Sequence, residues 1–127
     1  MSPDGNFAYV NETFARRVTR FSVSKAGSLS DPQTIVRLGP GDFPDGLVLD
    51  ETGALWITSI VSNRVIRVTP DGVDRMLEES DSEHLAEVER AFQNHCMART
   101  HLDGSPARTL RNMSSLAFGG PNMRTAF

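Results

Sequence analysis

Apolar and polar residues alternate along most of this chain in short runs bounded by glycine, proline and aspartate, a period of two that predicts β-strands. The runs are Phe7 to Glu12, Arg17 to Ser24, Gln33 to Leu38, Gly46 to Leu49, Ala54 to Thr58, Arg64 to Thr69 and Val73 to Glu78. They recur. Ser2-Pro3-Asp4-Gly5-Asn6-Phe7-Ala8-Tyr9-Val10 is a turn leading into an alternating strand, and Asp50-Glu51-Thr52-Gly53-Ala54-Leu55-Trp56-Ile57-Thr58 is the same unit, with Gly5 and Gly53 48 residues apart. Arg17-Val18-Thr19-Arg20-Phe21 recurs as Arg64-Val65-Ile66-Arg67-Val68 at an offset of 47, a one-residue difference in loop length. A third, incomplete copy is Gly120-Pro121-Asn122-Met123-Arg124-Thr125-Ala126-Phe127, whose Pro121 lies 118 residues beyond Pro3. Two repeats fall short of that span, so the rest is an insertion.

Periods of roughly 40 to 50 residues with several short strands each belong to propeller blades, four-stranded antiparallel sheets packed around a channel. The predicted fold is therefore all-β, a partial β-propeller of about two to three blades occupying residues 1–127, with one inserted α-helix in 79–112. Gly46 to Leu49 is the expected innermost strand of the one whole blade. Blades bury their faces against neighbouring blades, so an open arc leaves apolar faces and strand edges in water. Missing blades are the simplest expectation, with Met1 opening on a turn and Phe127 stopping in mid-strand.

The insertion changes the period. Ser80-Asp81-Ser82-Glu83 reads as a capping box with Ser80 as the cap, and Leu85, Val88, Phe92 and Cys96 follow at helical spacings. The helix is either a lid over the channel entrance or a surface helix. A zinc site among His84, His95, Cys96 and His101 is not expected, because His84 and His95 are separated along a helix by roughly 16 Å at about 1.5 Å per residue.

Composition adds little beyond a globular, soluble class. Charged residues are 23% and net charge is −3, which favours neither disorder nor a nucleic-acid partner. No apolar run is long enough to cross a membrane, and no secretory signal opens the chain, so the expected location is cytoplasmic. The single cysteine, Cys96, allows no internal disulfide.

Three Pro-Asp-Gly triplets occur in different contexts. Pro3-Asp4-Gly5 and Pro70-Asp71-Gly72 stand between strand runs, as type I turns do. Pro44-Asp45-Gly46 instead follows Gly39-Pro40-Gly41-Asp42 and leads into the innermost strand. There Asp45 is either a cation ligand near the propeller axis or a third turn aspartate.

The run from Gly41-Asp42-Phe43-Pro44-Asp45-Gly46-Leu47 to Trp56-Ile57 resembles the signature of the gluconolactonase, regucalcin (senescence marker protein) and luciferin-regenerating enzyme family. Glu12 to Val18 and Leu116 to Pro121 resemble two further family segments. The resemblance implies a six-bladed propeller that holds one divalent ion in its channel and hydrolyses a lactone or related ester, with Asp45 as metal ligand and candidate base. Calcium is the first expectation, with zinc, magnesium and manganese also compatible. The family's glutamate and asparagine ligands would fall upstream of Met1, so this chain by itself is expected to bind metal poorly and to be inactive. The alternative is a non-catalytic propeller segment that serves as a protein-interaction surface.

Other candidates line the same expected face. Asn63 and Arg16 lie in loops on the Asp45 side and either touch substrate or are surface residues. Ser114 and Ser115 precede the next inner strand, at the position equivalent to Asp45, and either line the pocket or simply begin that strand.

Overall fold

In the computed structural model, which describes residues 1–104, 106, 109–110 and 112–127, three antiparallel sheets follow one another along the chain. The first holds β1 (Phe7–Glu12), β2 (Arg17–Val23) and β3 (Leu29–Arg37), and the second β4 (Pro44–Leu49), β5 (Leu55–Ser59), β6 (Arg64–Thr69) and β7 (Gly72–Glu78). Each is ordered in space as in sequence. A short pair, β8 (Phe118–Gly119) with β9 (Thr125–Ala126), begins a third. This is a partial propeller, one whole blade flanked by parts of two others.

The expected strands are present with small shifts at their ends. β3 starts at Leu29 rather than Gln33. It contains Pro32, which an outermost strand tolerates because the missing N–H would have faced solvent. β4 starts at Pro44 rather than Gly46, so Asp45 lies inside the strand rather than before it.

The one-residue difference between the repeats falls at Asn6. Ser2 N–H donates to Phe7 O (2.8 Å), whereas in the second copy Asp50 N–H donates to Ala54 O (3.0 Å). The first turn is thus one residue longer. From the strand onward Phe7 corresponds to Ala54, Tyr9 to Trp56, Asn11 to Thr58 and Val18 to Val65.

Two apolar clusters hold the arc together. Val18 and Val36 of the first sheet pack on Leu55, Ile57, Ile66 and Val68 of the second, with Tyr9, Leu38, Leu47 and Leu49 at the margin. Burying such side chains contributes about 1.5–3 kcal/mol each. The second cluster joins Phe43 and Val61 to Val88 of α1 (Ser82–Gln93), with Ile60, Leu85, Phe92, Met97 and Leu102 around them. The insertion therefore sits on the loops at the Asp45 end of the sheet.

The helix starts differently from the sequence reading. Its cap is Asp81, whose carboxylate accepts the His84 amide at 2.9 Å. Ser80 does not cap, because its hydroxyl donates to Glu78 (2.7 Å). Leu85, Val88 and Phe92 pack inward as the spacing predicts. Cys96 does not: α1 ends at Gln93 and Cys96 is exposed. A second, short helix, α2 (Arg99–Asp103), was not anticipated. Among the described residues no helix is long and apolar enough to cross a membrane.

Candidate functional site

Residues 41–46 are fastened at successive positions. The Gly41 amide donates to Glu89 Oε1 of α1 (2.6 Å). The Asp42 carboxylate accepts from Ser62 Oγ and from Arg64 Nη1, both at 2.8 Å. Phe43 donates its amide to Ser59 Oγ (2.9 Å) and accepts Ile60 N–H at 3.2 Å. Pro44 O accepts from Thr13 Oγ1 (2.9 Å), and Asp45 O from Asn11 Nδ2 (2.7 Å). The Gly46 amide completes the series by donating to Thr58 Oγ1 at 2.9 Å.

The backbone at Asp45 is irregular in a way that serves this arrangement. β4 pairs Pro44 with Ser59 and then Leu47 with Ile57, so β4 carries one residue more than β5 at Asp45–Gly46. Such a bulge re-aims a side chain and often lies beside a functional site. Gly46 is required there. A Cβ on it would lie 2.6 Å from Ser114 O, 2.7 Å from Ser115 Cα and 2.7 Å from Thr58 Oγ1. The start of the next inner segment therefore passes directly against Gly46. Gly46→Ala is expected to cost about 1–3 kcal/mol as an overpacking change and to loosen residues 113–119, seen as faster amide exchange there with β6 unchanged.

The acids around the loop divide cleanly. Asp42 is engaged as above. Glu12 is held by Arg17 (2.7 and 2.6 Å) and by the Thr19 hydroxyl. The Arg17 guanidinium, and after it the Thr19 hydroxyl, bring its pKa down to about 2. Burial opposes ionisation of Asp50, but hydrogen bonds from Thr52, Trp56 and Ala54 outweigh it and hold its carboxyl well below the usual range. Asp45 alone of the four is exposed, and its carboxylate makes no hydrogen bond or ion pair with the described residues. Beside it Asn11 Oδ1 is a buried acceptor without a partner.

The remaining candidates separate. Ser114 and Ser115 are exposed and lie against Gly46, next to Asp45. Arg16 is elsewhere engaged: its guanidinium pairs with Glu89 through both Nη atoms, between the rings of Phe43 (4.4 Å) and Phe92 (4.1 Å). With side-chain exposures of 13% for Arg16 and 17% for Glu89, this half-buried pair ties α1 to the loop before β2. Asn63 is fully buried, donating to Leu110 O (2.7 Å) and accepting the Met113 amide at 3.4 Å. It fastens the returning segment. Asn11 and Thr13, the direct supports of the Pro44 and Asp45 carbonyls, were not singled out from sequence. The available signal was the repeat itself, since Asn11 stands where Thr58 stands one blade later.

Among the described residues no three His, Cys, Asp or Glu side chains stand close enough together to hold a metal ion. The donors beside one another at Asp45 are oxygen atoms, of the kind hard cations prefer.

Residues 1–82 match the family model of the SMP-30/Gluconolactonase/LRE-like region. The chain belongs to this family. Its relatives include the L-arabinolactonase of Azospirillum brasilense, 32% identical over 74 residues, which are 58% of this chain and 25% of that enzyme. The 6-deoxy-6-sulfogluconolactonase of Pseudomonas putida is also 32% identical, over 73 residues, 56% of this chain and 25% of that one. The matches thus span about a quarter of the length of these curated relatives. A solved luciferin-regenerating enzyme superposes on 95% of this chain and 32% of its own, with a TM-score of 0.60 at 22% identity. That likeness concerns the fold, which is that of a partial propeller.

Proposed function

We propose that the intact protein hydrolyses a lactone, either a sugar lactone or a related cyclic ester, using one divalent cation held in part by Asp45. In this reading the present chain supplies the aspartate-bearing arc and is inactive without further blades. The observation that carries it is a loop fastened at residue after residue around a single carboxylate left unengaged, on the innermost strand, in a family whose relatives above are lactonases. Asp45, with Asn11 Oδ1 beside it, fits calcium or another hard cation by donor chemistry, as one part of a coordination shell of six to eight oxygens.

When bound, the cation would polarise the lactone carbonyl and lower the pKa of a water. The Asp45 carboxylate would orient that water and accept its proton as the ring ester is attacked. Asn11 would hold the Asp45 backbone against the pull of the charge. Ser114 and Ser115 would offer hydroxyl groups to those of a sugar ring.

Exchange of residues 1–82 into the Azospirillum L-arabinolactonase, in place of its matching arc, tests the reading. Hydrolysis of aldonolactones that persists in the exchanged protein, stops with chelator and returns with calcium is the expected result. A folded exchanged protein without hydrolysis, or one indifferent to chelator, would overturn it and leave the interaction-surface reading.

A further inference from the structure

We propose that Glu89 of α1 is a positioning residue for Asp45, which makes the inserted helix a brace on the site and not a lid over it. The effect on the loop follows from the fold, while the effect on catalysis rests on the lactonase reading.

One carboxylate joins the two segments that hold Asp45 in place. Glu89 Oε1 accepts the Gly41 amide (2.6 Å), at the start of the fastened run. The same carboxylate takes both Nη atoms of Arg16, with Nη1 3.2 Å from Oε2. Arg16 closes the turn between β1 and β2, its amide donating to Thr13 O (3.2 Å). From that turn the Thr13 hydroxyl reaches Pro44 O, and from the end of β1 the Asn11 amide reaches Asp45 O. Glu89 therefore ties the run that carries Asp45 to the hairpin that supports it.

The tie is enclosed by packing. Bonds between a guanidinium and a carboxylate are among the stronger hydrogen bonds, and this guanidinium lies between the rings of Phe43 and Phe92, which meet edge to face at 5.4 Å. Gly41 has a φ of +80°, and a Cβ there would meet Leu85 Cδ2 at 3.0 Å. The helix thus rests directly on the first residue of the run, where glycine supplies both the left-handed backbone and the space.

Between Gly41 and Asp45 the chain has little slack, because Asp42 is held by Ser62 and Arg64 and the Phe43 amide by Ser59. The Asp45 carboxylate makes no hydrogen bond or ion pair of its own with the described residues. Its place is set through its backbone, and that backbone is what Glu89 secures. A brace and a lid differ in kinetics. Loosening a lid changes access and shifts KM, whereas loosening a brace misplaces a group that acts in the transition state and lowers kcat.

Two measurements test the proposal. Amide hydrogen exchange on the full chain carrying Glu89→Ala should be faster at Phe43 and Gly46, on either side of Asp45, with β6 unchanged. Unaltered exchange at those two amides, or faster exchange throughout the second sheet, would overturn it. The second measurement uses the Azospirillum L-arabinolactonase carrying the full chain in place of the corresponding arc. There Glu89→Ala should lower kcat about 10²-fold with KM nearly unchanged, the loss expected for a displacement of about 1 Å. Glu89→Gln keeps an oxygen for the Gly41 amide and should recover part of that loss; it is read in the same way if the alanine variant does not fold. Val88→Ala removes buried packing between helix and loop but leaves the carboxylate, so it should lower the melting temperature and retain kcat. A rise in KM alone, or equal losses of kcat in Val88→Ala and Glu89→Ala, would refute the brace. If the unsubstituted exchanged protein hydrolyses no lactone, the lactonase reading fails and amide exchange alone decides the role of Glu89.

Discussion

Asp45→Asn in the exchanged lactonase is expected to lower kcat/KM for lactone hydrolysis by roughly 10³-fold, about 4 kcal/mol of transition-state stabilisation at 1.36 kcal/mol per tenfold. Asparagine keeps the size and one oxygen of the side chain but removes its charge and its capacity to take a proton. The substitution should leave the fold untouched. The carboxylate makes no hydrogen bond or ion pair with the described residues, and the Asn11 and Thr13 bonds in this loop go to backbone carbonyls that survive the change. Stability should therefore move by no more than about 0.5 kcal/mol, as for other uninvolved surface positions. Calcium titration of the rate, alongside a thermal melt, checks both halves. Unchanged hydrolysis would remove Asp45 from the chemistry, and a large fall in melting temperature would make it a structural residue.

The opposite signature is expected one turn of the loop away. Asp42→Ala should destabilise the protein by about 3–5 kcal/mol, the range for removing one partner of a buried ion pair, measured by urea unfolding. The Asp42 and Arg64 side chains are only 5% and 8% exposed. The substitution strands the Arg64 Nη1 donor and removes one of the two side-chain partners of Ser62 Oγ. Glu78 keeps Nη2 at 2.6 Å, so the guanidinium is not wholly abandoned. Asp42→Asn retains an oxygen for Ser62 and should cost less. With a domain's total stability only about 5–15 kcal/mol, the alanine variant would approach unfolding. Full stability in that variant would mean that the pair contributes little once its desolvation is counted.

The strands were legible because alternation and turn chemistry are local. β1 and β6 run over the residues the pattern predicts. The N-terminus of α1 was misread by one residue because Ser80 and Asp81 are both good caps, and the choice was made by Glu78, which takes the Ser80 hydroxyl across a short gap. Cys96 continues the helical spacing on paper, yet α1 stops at Gln93, and a periodic pattern does not say where a chain turns away. At the site, Asp45 stood out through its context and its resemblance to a family motif. Arg16 and Asn63 were placed on the correct loops, but their partners, Glu89 and the Leu110–Met113 segment, lie 47 to 73 residues away in sequence. No local pattern carries pairings of that range. The same distance hid Asn11, whose amide meets Asp45 across 34 positions.

The extra residue at Asn6 bears on how such a chain can change over time. It lengthens one turn, and the strands after it keep the phase they have in the other repeat. Insertions in such turns between strands can therefore accumulate in a lineage with little penalty, and the repeats can drift in length until their common origin is hard to see. An added residue on β4 meets no such tolerance, because the bulge there already uses the slack and Ser114 presses against Gly46. Descendants of this arc should differ most in turn length and least in the spacing from Gly41 to Gly46, a bias that deep mutational scanning with single-residue insertions would reveal directly.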